Sequence, residues 1–76
     1  MNAAEQLMEQ GIDVRRVEAG DSIELVADFG RGADASVDVV GDTVIVIADD
    51  EQYDIETETG AQAQITNGVL TIEVDA

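Results

Sequence analysis

Few side chains in this sequence are suited to acid–base or nucleophilic chemistry. The 76 residues include no histidine, no cysteine and no lysine, which leaves carboxylates, two serines, the threonines and one tyrosine as candidates. A hydroxyl group becomes an effective nucleophile only when a neighbouring base activates it. Neither Ser22 nor Ser36 lies in a motif that supplies such a base, and Tyr53 is predicted to pack in a sheet. We therefore predict that the protein is not an enzyme.

The sequence also predicts no metal and no cofactor. Without cysteine and histidine, the ligands that zinc prefers are missing. The acidic run Asp49-Asp50-Glu51 contains calcium-type ligands, but it lacks the spaced oxygen ligands and the central glycine of an EF-hand loop. Such a run is more typical of a solvated turn than of a calcium site.

The charge balance argues against two large classes of partner. Eighteen acidic residues face three basic ones, which gives a formal net charge of −15. Nucleic acids and anionic membrane surfaces would be repelled by this charge. All three basic residues are arginine (Arg15, Arg16, Arg31), and the absence of lysine beside so many carboxylates indicates a halophilic, salt-adapted protein.

The start of the chain indicates a cytoplasmic location. Met1 to Gln10 carries Glu5 and Glu9, where a signal peptide would have basic and then apolar residues. No stretch approaches the roughly 20 apolar residues of a membrane helix. We therefore expect a cytoplasmic protein that does not bind membranes.

Residues 1–11 are predicted to form a short helix or a flexible arm. Asn2 is a good helix cap, Glu5 follows it at the spacing of a capping box, and Gly11 can end the helix. The apolar residues at helical spacing are Ala4, Leu7 and Met8. Because two or three turns are marginal alone, the segment either packs on a sheet, frays, or serves as a partner-binding arm.

Residues 12–76 are predicted to form one all-β domain, because the hydrophobic period changes to two after Gly11. Short alternating segments separated by turn residues favour an immunoglobulin-like β-sandwich of about seven antiparallel strands. The predicted strands are Asp13–Glu18, Asp21–Phe29, Ser36–Val40, Thr43–Ala48, Tyr53–Glu58, Gln62–Thr66 and Val69–Val74.

The strand Thr43–Ala48 differs from the others because both of its faces are apolar. Val44 and Val46 lie opposite Ile45 and Ile47. This pattern suits a central strand covered on both sides, or a strand whose second face meets a partner. We favour a core position for Ile45 and Ile47.

Three sequence blocks point to a known family. Ala63–Val74 follows the order A-x-x-x-N-G-V-L-x-I-x-V, and Val26–Gly30 and Val37–Val44 precede it. This succession resembles the alpha-crystallin domain of small heat-shock proteins, in which the two earlier blocks read A-D-L-P-G and V-x-V-x-G-D-x-L/I. The resemblance covers most of the chain from Asp13 to Asp75.

The resemblance implies a stress-response chaperone that binds partly unfolded proteins without ATP and without a cofactor. It also implies a protein-binding groove between the strands Ser36–Val40 and Gln62–Thr66. The groove residues carried over from the family are Val37, Val39, Ala63 and Ile65. An equally simple interpretation places all four side chains in the core, because a strand with one apolar face usually buries it.

The departures from the family pattern favour a monomer or small homo-oligomer. The long loop that microbial members exchange between subunits is reduced here to Asp49–Gln52, and the proline of A-D-L-P-G is absent. The chain also ends at Ala76 without the I-x-I extension that links dimers into shells. An alternative function is therefore that of the CS-type relatives, which are adaptors without general chaperone activity.

The charge of −15 predicts that folding depends on salt. Self-repulsion destabilises the compact state in dilute buffer, whereas in molar salt the Debye length shrinks to about 3 Å and most of the repulsion disappears. Thermal unfolding followed by circular dichroism should therefore show a higher Tm in molar KCl than in dilute buffer. An equally high Tm in both buffers would contradict salt adaptation.

Overall fold

The computed structural model describes residues 3–58 and 60–75, which form one helix and seven strands. The helix is α1 (Ala3–Glu9). The strands are β1 (Asp13–Ala19), β2 (Ser22–Asp28), β3 (Ala35–Val40), β4 (Thr43–Ala48), β5 (Glu51–Glu56), β6 (Gln62–Thr66) and β7 (Val69–Asp75). The prediction of an all-β protein with about seven strands and a short N-terminal helix is confirmed.

The strands form two antiparallel sheets. One sheet has four strands in the order β1-β2-β7-β6, and the other has three strands in the order β3-β4-β5. The inner faces of the two sheets pack on each other, which gives a small β-sandwich. The chain crosses from one sheet to the other after β2 and again after β5, so the four-stranded sheet pairs strands that are distant in sequence, whereas the other sheet consists of three consecutive strands.

Two-residue turns connect four strand pairs, and the backbone angles of these turns match their sequences. Gly20 and Gly41 open two of the turns with φ of 62° and 63°. Asn67-Gly68 adopts φ of 52° and 78°. Glycine and asparagine accept these positive values readily, and such turns follow the right-handed twist of antiparallel strands.

The turn between β4 and β5 is shorter than the sequence predicted. Asp49 and Asp50 adopt φ of 50° and 70°, which short polar side chains tolerate better than most residues do. These two residues alone close the hairpin. As a result β5 begins at Glu51 instead of Tyr53 and ends at Glu56 instead of Glu58.

The core between the sheets consists of aliphatic side chains from alternate strand positions. Val44 and Val46 of β4 face Leu70 and Ile72 of β7, and all four are 0% exposed. Ile55 of β5 completes the layer and is almost fully buried. Because strand side chains alternate between faces, β4 and β7 contribute every second residue to this layer.

Helix α1 packs on one side of the sandwich. Leu7 is fully buried, and α1 contacts both β1 and β5. Ala3 is also buried, whereas Met8 is 52% exposed. Of the three predicted apolar helix residues, Ala4 and Leu7 therefore face the protein and Met8 does not.

The predicted core position of Ile45 and Ile47 is wrong. Ile47 is 46% exposed, and Ile45 lies half-buried between Asp38 and Asp54 on the outer face of the three-stranded sheet. The inner layer already takes Val44 and Val46 from the same strand. Since the side-chain period of a strand is two, Ile45 and Ile47 must point away from the core.

Gly68 occupies a position where no side chain fits. Its φ is +78°, and a Cβ built on it would lie 1.9 Å from the backbone oxygen of Gly30. The Gly68 carbonyl oxygen accepts a hydrogen bond of 2.8 Å from the Phe29 amide. The loop after β2 is thus held directly against the turn between β6 and β7.

We expect Gly68→Ala to lower the free energy of unfolding by about 3 kcal/mol or more, because it combines a strained φ with a backbone clash. The matched control is Gly41→Ala, which has φ of +63° and nothing within 4 Å of the added Cβ. This control should cost only about 1–2 kcal/mol. Urea unfolding in molar KCl measures both variants, and equal losses would contradict the close approach.

Candidate protein-binding groove

The four residues predicted to line a groove lie together where two sheet edges meet. Strand β3 is an edge of the three-stranded sheet, β6 is an edge of the four-stranded sheet, and the two strands contact each other. Val37 and Val39 come from β3, and Ala63 and Ile65 come from β6. All four side chains are half-buried and pack against the core.

The main chain of β3 turns its unused groups toward this junction at Val37 and Val39. The Asp49 amide donates a hydrogen bond of 3.0 Å to the Asp34 carbonyl oxygen, next to the pair Ala35 and Ala48. In an antiparallel ladder, hydrogen-bonded and non-hydrogen-bonded pairs alternate. Val37 and Val39 therefore fall at positions that do not bond to β4, and their N–H and C=O groups point to the free edge.

The same reasoning applies to β6. The turn Asn67-Gly68 closes on the pair Thr66 and Val69, which is a hydrogen-bonded pair in a two-residue hairpin. Alternation then leaves Ala63 and Ile65 without bonds to β7, so that their N–H and C=O groups face away from β7. Within the described residues, no hydrogen bond outside the ladders engages Val37, Ala63 or Ile65.

One of these edge groups is already occupied. The Val39 amide donates a hydrogen bond of 2.9 Å to Oδ1 of the neighbouring Asp38. At the start of the strand, the Asp34 amide donates to Oδ1 of Asp49 at 3.3 Å. The Asp34 bond lies on the side of β4, so only the Val39 end of the free β3 edge is occupied, whereas among the described residues no hydrogen bond outside the ladders engages Val37.

Tyr53 and Phe29 pack edge to face at one end of the sandwich, with ring centroids 5.2 Å apart. The Tyr53 hydroxyl donates a hydrogen bond of 2.9 Å to Oε2 of Glu51. This bond raises the pKa of Tyr53 above 10.0, and partial burial and the carboxylates of Glu51 and Asp49 raise it further. Tyr53 is half-buried and packs against the core, as the sequence predicted.

On the side of the sandwich away from β3 and β6, helix α1 packs against β1 and β5. Gln6 donates from Nε2 to the Glu56 carbonyl oxygen at 3.2 Å, and its Oε1 accepts from the Glu56 amide at 3.1 Å. The side-chain amide of Gln6 therefore pairs with the edge of β5 in the way that a neighbouring strand would. Among the described residues, β3 and β6 form a junction of two edges that no helix covers.

The described parts of the chain, 3–58 and 60–75, contain no group of three or more histidine, cysteine, aspartate or glutamate side chains placed to hold a metal ion. In the same residues, no helix is both long enough and apolar enough to cross a membrane.

Residues 1–74 match the model of a family of unknown function, DUF7127. The chain belongs to this family. The match spans α1 and all seven strands almost to the end of β7, so that the whole sandwich is a DUF7127 domain. Neither the comparison with curated proteins nor the comparison with solved structures gave a match.

The pairing of Gln6 with β5 was not predicted from the sequence. Gln6 lies 50 residues from Glu56, and no local pattern indicates that a helix side chain will meet a strand edge. The only available signal was the position of Gln6 beside the buried Leu7, which places it next to the helix face that packs on the sheets.

Gln6→Ala should remove both hydrogen bonds to Glu56 and lower the free energy of unfolding by about 1 kcal/mol. The amide of Glu56 should also exchange with solvent faster, because its partner is lost. Gln10→Ala is the matched control, since the Gln10 side chain is exposed. Hydrogen exchange followed by NMR measures the effect, and unchanged protection at Glu56 would contradict the pairing.

Proposed function

We propose that this protein is an ATP-independent chaperone module of the small heat-shock type, which binds extended segments of partly unfolded proteins between β3 and β6. The observation that carries the proposal is the geometry of Val37, Val39, Ala63 and Ile65. Their apolar side chains meet between two sheet edges, while their main-chain groups face those edges.

Such a junction supplies the two kinds of contact that strand addition needs, which are main-chain hydrogen bonds and pockets for alternate side chains. A segment that lies along β3 or β6 finds main-chain donors and acceptors, and its alternate side chains enter the apolar groove. Main-chain hydrogen bonds do not depend on the client sequence. Binding would therefore be broad, as a chaperone for unfolded proteins requires.

The charge of the protein supports the same role. A net charge of −15 keeps a complex with a sticky client soluble, because complexes of like charge repel one another. The sequence blocks shared with the alpha-crystallin domain agree with this role. We further propose that the protein works in a salt-rich cytoplasm, where the acidic surface is screened.

A second candidate function is that of an adaptor that binds one defined protein partner in the same groove. The observation that favours it is the two-residue turn Asp49-Asp50, which replaces the long exchanged loop of microbial small heat-shock proteins. With so short a turn, subunits cannot exchange a strand there. We accordingly propose a monomer or small homo-oligomer, in which a broad client surface cannot be built from many subunits.

The test uses light scattering from a heat-labile enzyme that aggregates in molar KCl. The wild-type chain should suppress aggregation at a near-stoichiometric ratio. Val37→Thr combined with Ile65→Thr should weaken suppression roughly tenfold, because each change removes about 0.8 kcal/mol of apolar contact with the client.

The matched control is Val14→Thr combined with Val74→Thr, since these residues are also half-buried against the core but lie outside the junction. Circular dichroism shows that each variant is folded before the assay. Equal loss of suppression in both double variants would indicate a general effect on stability and would contradict client binding in the groove. No suppression by the wild-type chain would favour the adaptor.

A further inference from the structure

The outer face of the three-stranded sheet carries a second apolar surface, which the proposed chaperone function does not use. It consists of Val40, Ile45 and Ile47, here called the outer patch. Val40 is 57% exposed and Ile47 is 46% exposed, and Ile45 is half-buried beside them. These side chains point away from the groove and from the core.

Strand register makes the outer patch continuous. Ile45 and Ile47 are two residues apart on β4 and therefore share one face. Val40 is paired with Thr43 and Ile45 with Asp38, so Val40 and Ile45 are diagonal neighbours across β3 and β4. Diagonal neighbours lie about 7–8 Å apart, within reach of aliphatic side chains.

Carboxylates flank the outer patch on both sides. Asp38 and Asp54 lie directly across from Ile45 on the two neighbouring strands, and Glu56 lies across from Thr43. Two of these acids are held in place. Asp38 accepts a hydrogen bond from the Val39 amide at 2.9 Å, and Asp54 accepts one from Gln52 Nε2 at 2.8 Å.

Within the strands that the structure describes, no basic residue lies on this face. Its remaining positions are Ser36, Thr43 and Gln52, while Arg15 and Arg16 belong to β1 in the other sheet and Arg31 to the loop between β2 and β3. An apolar centre with a charged rim is the usual anatomy of a protein interface. Here the charged residues of the rim, Asp38, Asp54 and Glu56, are all negative, so a complementary partner must supply positive charge.

We infer that the outer patch binds an extended protein segment that carries apolar side chains and arginine or lysine on the same face. The apolar side chains cover Val40, Ile45 and Ile47, and the basic side chains pair with Asp38, Asp54 and Glu56. Ion pairs at contact distance, about 3 Å, are screened only in part in molar salt, because the Debye length there is also about 3 Å.

A second copy of the chain fits this surface less well. It would place Asp38, Asp54 and Glu56 against the same carboxylates of its partner, and each copy carries a charge of −15.

The experiment titrates the ¹⁵N-labelled chain with a ten-residue peptide in which every second residue is valine or arginine and the residues between them are serine. NMR is recorded at the lowest KCl concentration at which the chain is folded, and again in molar KCl. We expect amide shifts in β4 and β5, not in β6, and a lower affinity at the higher salt concentration. A control peptide in which serine also replaces the valines should bind at least tenfold more weakly.

Ile45→Thr combined with Ile47→Thr should weaken binding at least tenfold. The matched control is Val17→Thr combined with Val26→Thr on the outer face of the other sheet, and it should bind as the wild type does. Unchanged affinity in the Ile45/Ile47 variant, or equal binding of the control peptide, would overturn the inference.

Two further outcomes would also overturn the inference. Shifts confined to β3 and β6 would assign the peptide to the groove, and concentration-dependent shifts in β4 without peptide would assign the surface to a second copy. Because the groove variants Val37→Thr and Ile65→Thr leave the outer patch intact, failure of one proposal does not imply failure of the other.

Discussion

The structure depends on one buried layer of aliphatic side chains between two sheets. Only two residues in the chain are aromatic, so Val44, Val46, Leu70 and Ile72 supply most of this layer with Ile55. Burying such side chains stabilises the fold by about 25 cal/mol per Å² of apolar surface removed from water. With 76 residues and no disulfide, the domain has no other source of comparable stability.

The buried layer also determines which surfaces stay available. A strand turns one face to the core and the other to its surroundings. In β4 the even-numbered residues are buried, so the apolar side chains at the odd-numbered positions point away from the core. The two sides of the sandwich differ in whether a helix covers the strand edges. Helix α1 and Gln6 close the side of β1 and β5, whereas β3 and β6 meet with their edge groups directed outward.

Much of the fold was predictable because its signals are local. Alternation located the strands to within about two residues, and Gly41-Asp42 and Asn67-Gly68 located two of the turns. The outer position of Ile47 was not predicted, because periodicity shows that a strand has two apolar faces but not which of them another sheet will cover. The contact between Gln6 and Glu56 joins residues 50 apart, beyond any local pattern. For the site, the family resemblance named four residues, and the structure brings them to one junction, but their binding role depends on experiment.

The contact between Tyr53 and Phe29 has a practical consequence. The chain contains one tyrosine and no tryptophan, so Tyr53 accounts for nearly all of its near-ultraviolet absorbance and emission. The ring of Tyr53 lies on β5 in the three-stranded sheet and packs against Phe29, the residue that follows β2 of the four-stranded sheet. The absorbance and emission of Tyr53 therefore report whether the two sheets are packed against each other, and the native protein needs no added label for this measurement.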